Sequence, residues 1–568
     1  VLYTTMVWIR RMKKGDKVYL CEYRSVREGK KVRSEFVRYL GVEGDQEKVP
    51  LPKKTLIDWE APERSVRAGD VTVLWSIASS MQMPETIDRS CGLKGRRKAN
   101  SPGKLLTVWA INRALDPEST TNLEEWVDST SLPELAGLSS KGADRDAFYA
   151  ALDCICHEDP ATGRIVDHTQ AIDEALYAKW RDMHPLPRGA SEVLAYDMTS
   201  TLTYGTTCPL AEKGYNPEKW RHQQFNLSFL VSKVDYQPLA HMVHPGNHSS
   251  MTTMQQVLPR LHDFALPGAT IVWDRGNTSK KTVQGLEEMG WKVICGIPKI
   301  STEAKAAIMM TDIPEKPEYL IPCKNTGELY ATTVCAPLYG QSRKLVVYKN
   351  VTKATKSLIR RNKAIYEISQ ELDRLKDGRS FESQHGLKHA VKSAINGWSS
   401  FFTITYPQDE TEISFTWSMN QKRVEEAKAM DGKFLLYATD ERFTAQEVVR
   451  MYLEKDFIEK VFRTIKTDEE LKPIRHRLES RVRAIIFVCT LAYRLLAALR
   501  WMINSSQSKD VTLSATQFLR KLARVEKLEV DLGKEYEVFY VNVLEDLRKQ
   551  TVALGMNDLF ATQRSAKT

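Results

Sequence analysis

Apolar and polar positions alternate along residues 1–45, around turn signals at Lys14-Gly15-Asp16 and Glu28-Gly29-Lys30, and predict a small three-stranded sheet. From about Asp70 to His184 the period lengthens to that of helices, with polar breaks at Asp116–Ser119 and Ser139–Gly142. Residues 191–300 change character again. Strand-like runs at Val193–Tyr204, Phe225–Val234 and Pro238–His244 precede a helix from about Thr252 to Phe264, a strand Ala269–Asp274, a helix from about Ser279 to Met289 and a strand Trp291–Ile297. Residues 301–440 hold further strand-like runs at Glu328–Cys335, Lys344–Lys349, Phe401–Tyr406 and Glu412–Trp417, with a charged helix from about Lys356 to Lys376. The run Asp431–Asp440 leads into a stretch from Thr444 to Lys466, where Thr444 and Glu447 have capping-box spacing and predict the start of one continuous helix. A strongly apolar helix follows over Arg477–Trp501, and the tail from Ser505 mixes a short helix with alternation around Val538.

The order β-β-β-α-β-α-β over residues 191–300 is that of a ribonuclease H-like fold. The expected class is therefore α/β: a ribonuclease H-like core with a β-rich insertion, preceded by a small basic β-sheet and a helical region. The boundaries read as a basic meander (1–45), a helical region (46–190), the first part of the core (191–300), the insertion (301–440), the second part of the core (441–503) and a tail (504–568) with possible dimer contacts. In such a fold the first and fourth strands are neighbours. Asp197, where the apolar run Val193–Tyr196 ends, would then meet Asp274, where Thr270–Trp273 ends. An aspartate at a strand end is ordinarily a cap or a turn former; two in succession, followed by a helix carrying Glu459, form a less common pattern. At about 100° per residue, Tyr452, Lys455, Glu459 and Lys466 fall at roughly 0°, 300°, 340° and 320°, on one narrow polar face of the expected helix. A carboxylate flanked by cations suits a metal site that also holds a phosphate, although an ordinary solvated face has the same residues.

Composition adds a partner class. The chain has 568 residues, 42% of them hydrophobic and 27% charged, and a formal net charge of +10. The charge is uneven: Val7–Leu40 holds 11 basic and 4 acidic residues, and Arg442–Arg500 holds 13 and 8. Concentrated basicity points to a polyanion, and a helical region beside a basic sheet reads either as a DNA-contacting module or as plain scaffold. Nine scattered cysteines without CxxC pairs suit reduced thiols in a cytoplasm. Cys154-Ile-Cys156-His157 lacks a second ligand pair for zinc. The opening residues show no signal-peptide pattern. Arg494 and Arg500 interrupt the most apolar stretch, Ala484–Met502, which reads as a core helix, and no membrane partner is expected.

Tyr452, Lys455, Glu459 and Lys466 match the spacing Y-x2-R-x3-E-x6-K. That spacing is the signature of a large group of DDE-type insertion-sequence transposases, which the chain therefore resembles. Lys455 stands where the signature has arginine, keeping the charge but losing the bidentate fork. Tyr196-Asp197-Met-Thr-Ser200 is similar to the group's first-aspartate strand and Trp273-Asp274-Arg275-Gly276 to its second. Pro245-Gly246-Asn247 resembles its pGN segment, with Ser250 where an aspartate is common. The resemblance implies action on the ends of a mobile DNA element by Asp197, Asp274 and Glu459 with two divalent ions, Mg2+ or Mn2+. Its partners would be double-stranded DNA, both element ends and target, and a second copy in a synaptic homodimer at the nucleoid.

Hard divalent ions prefer carboxylate oxygens, and a pair of them serves both oxygens of an in-line phosphoryl displacement. Asp197 is read as the shared ligand, with Asp274 and Glu459 each completing one ion. Tyr452, Lys455, Arg463 and Lys466 would contact DNA beside the carboxylates, the lysines at phosphates and the Tyr452 ring on a base or beside the backbone. Arg10, Arg11, Lys30 and Lys31 would contact it from the basic sheet. A nuclease or resolvase of the same fold, or an inactive DNA-binding descendant of a transposase, is the alternative.

Overall fold

A computed structural model of the chain describes residues 7–15, 17–28, 31–43, 64–93, 99–139, 143–203, 207–215, 222–264, 266, 268–322, 327–376, 381–409, 412–455, 457–465, 471, 474, 476–531, 535–557, 559–561 and 563–566. It divides into two compact units, one of Val1–Arg64, Glu529–Glu537 and Arg564–Thr568, the other of Ser65–Leu528 and Val538–Gln563.

In the smaller unit, strands Val7–Lys14, Lys17–Glu28 and Lys31–Val42 form the expected antiparallel sheet in chain order. Cross-strand ring pairs hold it: Trp8 stacks on Tyr23 at 6.3 Å, and Tyr23 meets Phe36 edge-on at 5.7 Å.

The larger unit is organised by a ten-stranded mixed sheet. Its order is Pro238–Pro245, Gln223–Ser232, Val193–Leu202, Thr270–Trp273, Lys292–Ile297, Lys433–Ala438, Gln341–Asn350, Leu329–Leu338 and Leu320–Ile321, with Glu212–Lys213 paired to Gln223–Ser232. Thr270–Trp273 is parallel to Val193–Leu202 on one side and to Lys292–Ile297 on the other. The other pairings are antiparallel. The strands and helices over 193–297 thus follow the order expected from the hydrophobic pattern, and the first and fourth strands are indeed neighbours.

Strand side chains alternate between faces. Leu194, Tyr196, Ile271, Trp273, Val293 and Cys295 bury against Met254 and Val257 of helix Ser250–Asp263 and Val283 and Leu286 of helix Lys280–Glu288. The opposite face is covered in two halves. Over the strands ending in Pro245, Ser232 and Leu202, Ala195 and Phe229 pack with Ile458, Val461 and Phe462, and with Val482 and Ile486 of helix Glu479–Ser505. Over the adjoining strands, Val272, Ile294 and Leu436 pack with Val448, Val449 and Tyr452.

This division corrects one expectation. The stretch from Thr444 is not one helix but two, Ala445–Glu454 and Phe457–Arg463. The start is as expected: the Thr444 side chain accepts from the Glu447 amide and the Glu447 carboxylate accepts from the Thr444 amide. The break has a packing cause. The first helix buries its apolar face on one half of the sheet and the second on the other, so the chain changes direction between them.

Helix Glu479–Ser505 is a core helix, with 94% of its most apolar window buried. It shares one core with the helical region, through Trp109, Phe148 and Leu176 against Phe487 and Leu491. Phe518, Leu522 and Leu547, from the stretch after the core, join the same cluster. The insertion is divided. Its hairpin Leu329–Leu338 and Gln341–Asn350 extends the main sheet, whereas helices Val351–Lys376, Gln384–Ala394 and Gln421–Met430 enclose a small core of Leu372, Leu387, Val391, Phe401 and Phe415.

Candidate active site

The last registered pair between the first-aspartate strand and its parallel neighbour is Trp273 with Tyr196. Asp274 and Asp197 stand one residue further on, about 5 Å apart by strand spacing. Both share the parity of Val272 and Ala195, so both face the helices that begin at Ala445 and Phe457. Tyr452 lies in the last turn of the first of these helices and Glu459 in the first turn of the second.

Each carboxylate is anchored locally. An Asp197 oxygen accepts from the Met198 amide at 2.8 Å. Asp274 accepts from the Arg275 amide at 2.8 Å and from the Tyr452 hydroxyl at 2.5 Å. The loop behind Asp274 is tied down as well: the Trp273 indole donates to the Thr278 hydroxyl at 2.9 Å, which donates to the Gly296 carbonyl at 2.8 Å. Gly296 makes room for the tyrosine. A Cβ there would lie 2.6 Å from the Tyr452 hydroxyl oxygen and 3.1 Å from the Arg275 Cβ. The sequence carried a signal of this, a lone glycine inside the apolar run Val293–Ile297.

The two aspartates differ electrostatically. Burial, with the charges of Asp274 and Glu459, raises the Asp197 pKa to about 6, against the opposing pull of the Met198 amide and Lys455. Burial also works against the Asp274 carboxylate, but the Tyr452 hydroxyl, Lys455 and Arg275 outweigh it and hold its pKa below the ordinary value.

The structure brings Asp197, Asp274, Tyr452 and Lys455 together, with Glu459 within electrostatic reach of Asp197. The shared face expected for Tyr452, Lys455 and Glu459 does not form, because the helix breaks between the second and third. Tyr452 is 7% exposed and bonded to Asp274, not open to a base. The Lys455 ammonium lies over the Tyr452 ring at 4.9 Å. Arg463 is exposed and lines a separate cavity of about 520 Å³ with Lys460 and Arg500. Lys466 lies outside the described residues. In the smaller unit Arg10 stands over the Tyr23 ring at 5.7 Å and Arg11 pairs with Glu43 at 2.6 Å, both on the exposed first strand. Lys30 lies outside the described residues, as does the Lys31 side chain.

Among the described residues, no three His, Cys, Asp or Glu side chains are gathered closely enough to hold a metal ion. The donor chemistry nonetheless suits one. Adjacent carboxylate oxygens, one of them destabilised by its acidic neighbours, match a hard divalent cation better than zinc or copper.

A family model described as "Transposase DDE domain" matches residues 188–495. The chain belongs to this transposase family. The match spans both aspartates, Glu459 and most of helix Glu479–Ser505. Transposases of this kind use divalent metal ions. Among solved structures, one described as "Cryo-EM structure of piggyBac transposase synaptic complex with hairpin DNA (SNHP)" aligns with 81% of this chain and 80% of that chain, at 11% identity and a TM-score of 0.39. At that score nothing about its DNA or its assembly transfers to this transposase. No curated protein matches the chain in sequence.

Proposed function

We propose that this transposase binds the terminal inverted repeats of an insertion sequence, cuts the DNA there and joins the freed end to target DNA. The observation that carries the reading is the pair Asp197, midway along strand Val193–Leu202, and Asp274, just past the end of the parallel strand Thr270–Trp273, on the face where Glu459 acts. In this reading the sheet is a ribonuclease H-like core, and the chain is one of the Y-x2-R-x3-E-x6-K group with lysine for arginine.

Asp197, Asp274 and Glu459 would hold two ions, Mg2+ or Mn2+. When bound, such ions supply positive charge to the attacking and leaving oxygens of an in-line displacement. The chain's own residues do the rest. Tyr452 fixes the orientation of Asp274 and keeps it ionised. Lys455, over that ring, adds positive charge beside a scissile phosphate. Water attacks in the cutting step and a DNA 3′-hydroxyl in the joining step, so no protein nucleophile is needed. Arg463 and Lys466 would contact DNA beyond Glu459, and the basic sheet would contact the element end, with two copies acting together at the nucleoid.

The test is Mg2+-dependent nicking of a duplex carrying the element's end. Asp197→Asn, Asp274→Asn and Glu459→Gln should each lower the rate by roughly 10³-fold or more, with binding to the same duplex retained. Cutting at the normal rate by any one of them would remove that residue from the site.

A further inference from the structure

The sheet end that carries Asp274 opens sideways into a strongly cationic cleft. A cavity of about 630 Å³ is lined by Lys299, Lys305, Lys353, Lys356, Arg360 and Arg423. Its shape follows from three elements. Strand Lys292–Ile297 runs out into Pro298-Lys299. Helix Val351–Lys376 opens with Lys353, Lys356, Ser357 and Arg360, a spacing that sets all four on one face over about 10 Å of axis. Helix Gln421–Met430 brings Arg423. Gly432, at φ +64°, lets the long helix start hard against the sheet, because a Cβ there would lie 2.5 Å from the Asn350 carbonyl oxygen and 2.6 Å from the Ala354 Cβ.

Little on the wall neutralises these cations. Asp431 is held by the buried Arg361 guanidinium at 2.8 and 2.7 Å. Arg423 pairs loosely with Glu426 at 3.4 Å. Among the described residues no carboxylate pairs with Lys305, Lys353, Lys356 or Arg360. Lys299 and Lys353 crowd the same Phe434 ring at 4.9 and 5.2 Å, and that ring stacks on Tyr348 at 5.0 Å. Gathering like charges opposes folding unless an anion joins them. The cleft also borders the active site: Lys299 and Phe434 line a smaller neighbouring cavity together with Arg275, Gly296 and Tyr452.

We propose that this cleft is a DNA-backbone site, gripping phosphates of the substrate a short way along the strand from the one at Asp274. The inference rests on the DNA-cutting reading above and adds Lys299, Lys353, Lys356 and Arg360, none of which belongs to the DDE signature. Contacts on a strand already bound at the carboxylates act as a second attachment. Their loss weakens retention more than it slows the chemistry.

The probe is a fluorescent duplex of about 40 bp and arbitrary sequence, bound to the full chain over a salt series. Lys356→Glu with Arg360→Glu should lower affinity about 10²-fold near 0.15 M salt and flatten the slope of log affinity against log salt by about 2. The charge-keeping pair Lys356→Arg with Arg360→Lys should retain the wild-type slope. Should the acidic pair melt early, Arg360→Gln is read in its place, and the slope should flatten by about 1. Wild-type affinity and slope in a folded acidic pair, while wild type binds the duplex, would overturn the cleft alone. A wild-type chain that does not bind duplex at all would overturn both the cleft and the DNA-cutting reading.

Discussion

Two groups of acids lie on this sheet, one buried and one half-buried, and they meet opposite fates. At the layer between the sheet and helix Thr169–Met183, every acid has a cationic or donor partner. Asp173 bonds the His241 ring at 2.6 Å and Arg494 at 3.1 Å. Glu192 takes Arg181 at 2.9 Å and the Tyr177 hydroxyl at 2.6 Å, and Asp235 takes the Trp180 indole at 2.8 Å and Arg181. Burial pushes Asp173 towards protonation, yet His241 and Arg494 hold its pKa below the ordinary value. Burial acts the same way on Asp197, but its neighbours include Asp274 and Glu459, and its pKa rises to about 6. In the first arrangement every acid is matched by a cation or donor. The second concentrates negative charge at a place a divalent cation would relieve.

The largest effects are expected among the paired acids. Arg494→Met should strand the fully buried Asp173 beside His241 and cost about 3–5 kcal/mol in denaturant unfolding. Asp197→Asn, which removes a half-buried charge that has other acids beside it, should leave the metal-free protein as stable as wild type or more so. Equal losses in both variants would mean that the two groups of acids are alike.

A smaller effect is expected at the tyrosine. Tyr452→Phe removes a donor from a half-buried carboxylate, at about 1–3 kcal/mol. The Asp274 pKa should then rise, so nicking activity should fall away at a higher pH on the acid side than in wild type. Gly296→Ala, whose Cβ would meet the Tyr452 hydroxyl at 2.6 Å, should mimic that shift. An unmoved acid limb in both would show that the hydroxyl does not tune Asp274.

The smallest effect is a slope. Asp173, with a depressed pKa, contributes stability above the ordinary carboxylate pKa that is lost as the pH falls. Asp197 has the opposite sign. Its folded pKa near 6 exceeds its unfolded value, so the folded chain binds the extra proton and metal-free stability declines as pH rises from about 4 through 6. Melting curves over that window should show the decline in wild type and a flatter line, by about 2 °C, in Asp197→Asn. Identical slopes would remove the raised pKa.

Asp274 was legible because it closes an apolar run short enough to be a buried strand; Asp197 sits mid-strand, since strand Val193–Leu202 runs on past it, and the strand order makes the two neighbours. The helix break was not legible. The capping box at Thr444 and the apolar spacing from Val448 to Phe462 run through it without interruption, and only the two halves of the sheet distinguish Val449 from Phe462. The place of Tyr452 eludes the pattern for the same reason: a helical wheel assigns a face, but not what lies beneath it, and its hydroxyl is bonded to Asp274. The cationic cleft depends on Lys299, Lys356 and Arg423, which sit in three separate elements, so no local pattern joins them. The place of Phe518 and Leu522 in the core of the helical region is likewise a long-range fact that periodicity does not carry.

The most direct test of the account is Mn2+ uptake by the full chain with duplex bound, followed by the loss of the free-ion paramagnetic resonance signal. Wild type should take up about two ions per chain, and Asp197→Asn, folded and still holding the duplex, should lose at least one of them. Equal uptake by the two proteins would contradict the claim that Asp197, Asp274 and Glu459 form a cation site.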